Sequence, residues 1–278
     1  METDQIVVAA HRLGVRYAGS SGQPGVIALK DLSVTIRAGE LVAVIGPSGA
    51  GKTTLFRCLT GFVRPSEGSL VVNDLEIARA DSARLRRLRR EAATVYQQFH
   101  LIERATAFQN VLIGRVGFVA AWRTLLGWFP RHDRKLAYGV LSELGLGNRA
   151  LQRTDRLSGG ERQRVAVARA LVQQPRLVLA DEPAASLDVS LAHFVLETLQ
   201  SLNREAGVTV IVNLHDLELA RRYAARVLAL RHGGLVFDGP PEQLTAGVQE
   251  RIYHGTDKHA DGRAGGRATA YRRAPTAG

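Results

Sequence analysis

The hydrophobic pattern changes period twice along the chain. Val7 to Tyr17 reads as a strand, and the alternating apolar and polar positions from Ile27 to Ile36 predict a second. The Gly- and Ser-rich loop Ala18 to Gly25 separates them, and Ala38-Gly39 closes the second. Leu41 to Ile45 is an unbroken aliphatic run, the pattern of a strand buried on both faces. A glycine-rich turn follows, then a helical pattern from Thr53 to Gly61. Ser69 to Val72 and the segment around Ile77 extend this β-rich first part.

Near Asp81 the period becomes helical and stays mostly so to about Arg156. Asp81 to Arg90 predicts a short arginine-rich helix, Asn110 to Phe129 an apolar and aromatic one, and Arg134 to Leu144 a third, stopped by Gly145. Alternation then resumes. Helices are predicted over Gly160 to Gln173, Leu191 to Glu205 and Leu217 to Ala225. Strands are predicted over Leu177 to Ala180, Val208 to Asn213 and Val227 to Leu230, and Leu235 to Phe237 opens a final hairpin-like unit. Strands alternating with helices imply an α/β fold: a mainly parallel sheet with helices on both faces, an antiparallel β part at the N-terminus and an inserted helical subdomain over about 97–157. One domain over 1–253 is expected, with no solenoid repeat.

Composition narrows the class. Apolar residues make 45 % and charged residues 23 % of 278, which excludes a wholly disordered chain. The net charge of +11 favours anionic company, whether nucleotide, nucleic acid or lipid headgroup. Cys58 is the single cysteine, so neither an intrachain disulfide nor a cysteine zinc site can form, in keeping with a reducing compartment. Met1 to Ala10 carries Glu2 and Asp4 and has no basic region before an apolar core, so no signal peptide is expected. Val111 to Phe129 is the best candidate span, but it holds Arg115 and Arg123. An arginine at a span centre costs roughly 2.5–3.5 kcal/mol. Work at a membrane would therefore be peripheral, through a partner. Arg84, Arg86, Arg87, Arg89 and Arg90 read first as a solvated helix face, with Leu85 and Leu88 inward, and second as a lipid or partner contact. His254 to Gly278 is Gly-, Ala- and Arg-rich and reads as a poorly ordered basic tail.

Gly46-Pro47-Ser48-Gly49-Ala50-Gly51-Lys52-Thr53, followed by Thr54, fits G-x-x-x-x-G-K-[ST] between a buried strand and a helix. Glycines there let backbone N–H groups face phosphate oxygens, and the helix start adds partial positive charge. Lys52 would reach the β- and γ-phosphates, and the Thr53 hydroxyl would ligate Mg²⁺. Leu177 to Ala180 delivers Asp181 and Glu182 at a strand end, the edge where parallel sheets bind ligands. Asp181 would hold Mg²⁺, and Glu182 would orient or deprotonate the attacking water. Leu157-Ser158-Gly159-Gly160-Glu161 opens a helix and makes a second anion-binding helix start about a hundred residues on. Two such ends in one chain make sense if the second acts on a nucleotide held by another copy.

In these residues the sequence resembles the ATP-binding cassette (ABC) ATPases, over roughly residues 5 to 245, with Leu157-Ser158-Gly159-Gly160 matching their signature. The resemblance implies a P-loop NTPase, RecA-like core and ATP with Mg²⁺. It implies that Tyr17, in the loop after the first strand, stacks on adenine. It assigns Gln97 to metal and γ-phosphate and to sensing of a membrane partner. Ser158, Gly159 and Gly160 would contact the γ-phosphate held by an opposing copy, Asp188 would link the two sites, and His215 would contact the γ-phosphate. Glu161, Val189 and Asp216 depart from the family pattern, where glutamine, proline and glutamine are usual.

A closer resemblance to the ATPase subunits of phosphonate importers lies in Tyr96 to Ile102, Asn110 to Val116, Trp122 to Pro130, Ala180 to Asp188, Asn213-Leu214-His215 and Leu235 to Gly239. It implies a homodimer with ATP sandwiched between copies, permease subunits, an extracytoplasmic solute-binding protein acting indirectly, and a peripheral place on the cytoplasmic face of the inner membrane. Phosphite and phosphate esters are the alternative cargoes. Other readings are an importer ATPase for another small anion or polar solute, a soluble cassette ATPase on nucleic acid or ribosomes, and a non-catalytic regulatory cassette. No nucleic acid is expected, since no interleaved aromatic platform is evident. Among Phe108, Phe118, Trp122, Trp128 and Phe129, most should pack the insert's core and a subset should line a groove for a permease helix.

Overall fold

The computed structural model describes residues 5–19, 25–96, 100–184 and 189–255. Strands β1 (Ile6–Tyr17), β2 (Val26–Arg37), β4 (Glu67–Val72) and β5 (Leu75–Glu76) form an antiparallel sheet in the order β2-β1-β4-β5. The central sheet has six strands: β3 (Leu41–Ile45), β6 (Ala92–Tyr96), β7 (Leu177–Asp181), β8 (Thr209–Asn213), β9 (Arg226–Arg231) and β10 (Gly234–Gly239). Its order is β10-β9-β3-β8-β7-β6, parallel except for the β10–β9 hairpin. Helices are α1 (Lys52–Leu59), α2 (Ser82–Glu91), α3 (Ala107–Ile113), α4 (Ala121–Leu125), α5 (Arg131–Glu143), α6 (Gly159–Leu171), α7 (Val189–Ala206), α8 (Leu217–Tyr223) and α9 (Ala246–Tyr253).

The five residues of β3 are all buried, and the strand's two faces serve two cores. Leu41, Ala43 and Ile45 join the core built with α3, α5, α6, α7 and α8. Val42 and Val44 join the core shared with the antiparallel sheet, α1 and α2. Successive strand side chains point to opposite faces, so an unbroken aliphatic run is what a sheet covered on both sides requires. The mixed α/β expectation, with a mainly parallel sheet and an N-terminal antiparallel part, holds.

Several local expectations need correction. Ala92–Tyr96, inside the stretch read as helical, is the edge strand β6 and pairs in parallel with β7. The segment around Ile77 is a single 3-10 turn after the two-residue β5. Asn110 to Phe129 is not one helix. It breaks at Gly114, where a Cβ would collide with the Arg169 carbonyl, and continues as a 3-10 turn and α4. Tyr17 ends β1 rather than lying in the following loop. Residues 256–278, most of the expected tail, lie outside the described residues.

No helix among the described residues is long and apolar enough to cross a membrane. Arg115, which argued against a span, is buried and ion-paired. Its Nε donates to Asp133 Oδ1 at 2.8 Å and its Nη1 to the Val172 carbonyl at 3.3 Å, so one side chain ties the end of α3 to α5 and α6. Removing one partner of such a pair strands a buried charge. Asp133→Ala should lower unfolding free energy by about 3 kcal/mol in urea titrations, whereas an Arg115→Met, Asp133→Leu double substitution should recover most of that loss. Equal stability of Asp133→Ala and the parent would remove the pair from any structural role.

Candidate functional site

β3 ends at Ile45, and the chain turns at once through Gly46 to Gly51 into α1. Gly46 has φ 142°, and a Cβ there would run into the Leu230 carbonyl of the neighbouring β9. Gly51, at φ 102°, caps α1 with no side-chain hydrogen bond, and the first turn of that helix carries no acid. The loop, the N-terminal residues of β2, Glu182 and His215 line a cavity of about 230 Å³. A cradle of backbone amides at an uncapped, acid-free helix start suits an anion.

Lys52 is 6 % exposed. Its Nζ donates to the Gly46 carbonyl at 2.6 Å and the Pro47 carbonyl at 3.1 Å, which holds the loop curled over its own lysine. Burial pushes the Lys52 pKa down, and the charges of Glu182 and Asp181 oppose that shift. Asp181 ends β7 in register with Asn213 of β8. Burial raises the Asp181 pKa, and a 2.7 Å hydrogen bond donated by Asn213 Nδ2 to Oδ1 works against it, with Lys52 and Arg57. Glu182 leaves the sheet at φ 52°, a conformation disfavoured for a residue with a Cβ. There its Oε1 lies 2.6 Å from His215 Nε2. Strained backbone of this kind concentrates at functional sites. Thr53 is exposed on the first turn of α1, and Tyr17 Oη lies 3.4 Å from Thr54 Oγ1.

The structure thus brings Ser48 to Thr54, Glu182 and His215 around one cavity and sets Asp181 beside it, within reach of the Lys52 charge. Ser158, Gly159 and Gly160 do not line that cavity. Ser158 caps α6 instead: Glu161 N donates to its Oγ at 3.2 Å and Ser158 N donates to Glu161 Oε2 at 2.8 Å, a reciprocal capping box. That gives Glu161, one of the departures from the family pattern, a structural task. Asp216, another departure, caps α8 by accepting from Glu218 N at 2.7 Å. Gln97 and Asp188 lie outside the described residues. Sequence reading did not single out Asn213 as the residue that steadies Asp181. The signal was present, a lone amide closing a strand whose middle, Val210 to Val212, is aliphatic. The single thiol, Cys58, is fully buried and pushed up to about 12, so it takes no part.

The raised Asp181 pKa has a definite sign. A carboxyl harder to ionise in the folded state than in the unfolded one favours folding at low pH, and that advantage is lost as pH rises through its folded pKa. Asp181→Asn keeps the hydrogen-bond acceptor for Asn213 and removes the charge. In nucleotide- and metal-free protein it should match the parent's melting temperature below the ordinary carboxylate range and exceed it at neutral pH. A gap that closes towards neutral pH would contradict the buried-charge assignment.

The profile of the ABC transporter family matches residues 29–185. The chain is 46 % identical over 226 residues to a phosphonates import ATP-binding protein (PhnC 1) of Rhodopseudomonas palustris strain HaA2, covering 81 % of each chain. It is 42 % identical to a phosphonates import ATP-binding protein (PhnC) of Bdellovibrio bacteriovorus, over 89 % of this chain and 95 % of that one. Among solved structures, a dimeric ATP-binding cassette in a post-hydrolysis state, bound to ADP and Pi, superposes with a TM-score of 0.73 at 32 % identity, covering 84 % of this chain and 98 % of that one. A part of the cbiONQ ABC transporter complex from Clostridium perfringens gives 0.74 at 27 % identity, covering 87 % and 91 %. With that family profile matched over more than half of the chain and relatives at 42–46 % identity over most of it, on this two-sheet frame, the chain belongs to the ABC transporter ATPase family.

Proposed function

We propose that the chain is the ATP-hydrolysing subunit of a phosphonate importer. The observation that carries the chemistry is the convergence of Ser48 to Thr54, Glu182 and His215 on one cavity. The cargo rests on the relatives named for phosphonate import.

ATP binds with its phosphates in the loop, where Gly46, Pro47, Ser48, Gly49, Ala50 and Gly51 present backbone N–H groups where they have them and Thr54 extends the cradle. Lys52 exchanges its two carbonyl acceptors for β- and γ-phosphate oxygens, and the anion restores the charged form that burial disfavours. Tyr17 stacks on the adenine. Thr53, Asp181 and Gln97 offer only oxygen atoms as ligands, the hard donors that Mg²⁺ takes, and the ion would neutralise charge on the phosphate oxygens. Glu182 accepts a proton from the water that attacks the γ-phosphorus as the bond to the β-phosphate oxygen breaks. His215 fixes the Glu182 carboxylate and reaches the γ-phosphate. Ser158, Gly159 and Gly160 of a second copy close over that phosphate, with Asp188 linking the two sites.

The domain comprises residues 1–253, with 97–157 as its helical insert and 254–278 as a basic tail. It works at the cytoplasmic face of the inner membrane beneath permease subunits that receive solute from an extracytoplasmic binding protein. The exposed Ile102 and the half-buried Phe108 flank the segment that follows Gln97 and give a permease helix apolar anchors. No nucleic acid takes part.

Lys52→Ala should weaken ATP binding roughly thirtyfold or more, the equivalent of about 2 kcal/mol for a lost charged hydrogen bond. His215→Ala should leave ATP affinity near normal and lower turnover on the order of a hundredfold. Equal loss of affinity in both variants, by calorimetry, would contradict the separate roles.

The cargo is tested by deleting the gene in cells with no second uptake system. Growth should fail on a phosphonate as sole phosphorus source and persist on phosphate. Unimpaired growth on every phosphonate would overturn the cargo and leave the ATPase reading intact.

A further inference from the structure

The insert carries a surface that neither hydrolysis nor the site explains. After α3, the chain runs through an exposed turn (Val116–Phe118), α4 and the turn Leu126 to Phe129 before α5 begins at Arg131. Expectation put most aromatics of this stretch in a small core. Phe129 does pack there, as does Phe108. Trp122, Leu125, Leu126 and Trp128 do not. They are 53 %, 88 %, 61 % and 63 % exposed, beside a half-exposed Phe118. The two indoles meet edge to face with centroids 6.4 Å apart, so they order each other without being covered. Gly127, at φ 67°, turns the chain at the tip, and a Cβ there would meet nothing within 4 Å. The result is a projecting apolar tip, not a groove. A contiguous patch of this kind marks an interaction surface.

Positive charge surrounds it. From Arg115 to Lys135 the chain has five basic residues and one acid, Asp133, which the buried Arg115 already neutralises. Arg123 stacks over Trp122 at 5.1 Å, and Arg131 and Lys135 are exposed immediately after the tip. From the other side, α2 presents Ala83, Arg86, Arg89 and Arg90 to the same turn. Arg90 Nη1 donates to the Gly117 carbonyl at 3.2 Å, which ties the arginine helix to the base of the tip. Arg89 is spent on the Thr60 and Gly61 carbonyls and stacks 4.4 Å over the exposed Phe62 ring. Arg86 and Arg123 are both exposed.

We propose that this tip is an interfacial membrane contact that takes anionic phospholipid. Tryptophan favours the boundary between headgroups and acyl chains, and leucine beside it adds apolar burial. Each arginine near an anionic surface adds attraction that salt weakens. A projecting tip ringed by cations fits a bilayer surface, whereas a permease helix needs a concave seat. The contact would hold the ATPase against the membrane independently of what is transported.

Trp122 and Trp128 are the only two tryptophans in the chain, so emission reports on this tip alone. The full chain is mixed with vesicles of phosphatidylglycerol and phosphatidylcholine in equal parts, with vesicles of phosphatidylcholine alone, or with detergent-solubilised permease. With the anionic vesicles, emission should move to shorter wavelength, brominated acyl chains should quench it, and the protein should sediment with the lipid in a salt-sensitive way. Leu125→Asp with Leu126→Asp, and separately Arg86→Glu with Arg123→Glu, should each weaken that binding roughly tenfold or more while basal ATPase activity stays unchanged. Sedimentation without an emission change, or undiminished in both variants, would place the lipid contact elsewhere and overturn the proposal. So would an emission change produced by permease alone. Loss of basal activity in one variant would leave the other variant and the quenching to decide.

Discussion

Lys52 is 6 % exposed, yet its ammonium has to stay charged against the desolvation that burial imposes. Three features of the fold answer that demand. The carbonyls of Gly46 and Pro47 accept hydrogen bonds from it, Glu182 and Asp181 lie close enough to favour the charged form, and the uncapped start of α1 leaves the site open to an anion. Each depends on the two-sided burial of β3 and β7. Only strands buried on both faces bring a lysine loop and a carboxylate pair to the same sheet edge with their backbone groups already spent on neighbours.

The carboxylates carry the complementary strain. Asp181 is held by Asn213 and resists ionisation, and Glu182 occupies a left-handed conformation that aims its carboxylate at His215. A buried lysine and a half-buried Asp181, each shifted by burial away from its ordinary pKa, favour the binding of a charged ligand that rebalances them. That is a physical reason for a nucleotide to be the partner of this edge, separate from any likeness of sequence.

Much of this was legible beforehand because the informative segments obey one rule at a time. Leu41 to Ile45 and Leu177 to Ala180 are aliphatic without interruption, so their burial and the polar residues that follow them could be read directly. Ala92–Tyr96 was not legible, since five residues of mixed size after an arginine-rich helix carry no decisive period, and its strand character comes from pairing with β7. Gly114, the C-cap of α3, has no room for a Cβ against the Arg169 carbonyl, a close approach to α6 that only the packing reveals. The exposure of Trp122 and Trp128 was hidden for the same reason. Aromatic residues at helical spacing read as core until the packing is known. Ser158 shows the converse, because its match to a signature was plain while its capping box with Glu161 needed coordinates.

Lys52 and Ser158 stand at two helix starts, and Ser158 does not line the Lys52 cavity; in the composite site proposed above, the second helix start of one copy completes the first of another. Light scattering of the Glu182→Gln variant tests this most directly, because that substitution leaves the phosphate loop intact and removes the proton acceptor. With saturating ATP the mass should double relative to the nucleotide-free protein, and Ser158→Arg in the same background should return it to the monomer. A Glu182→Gln protein that binds ATP and stays monomeric would contradict the composite site.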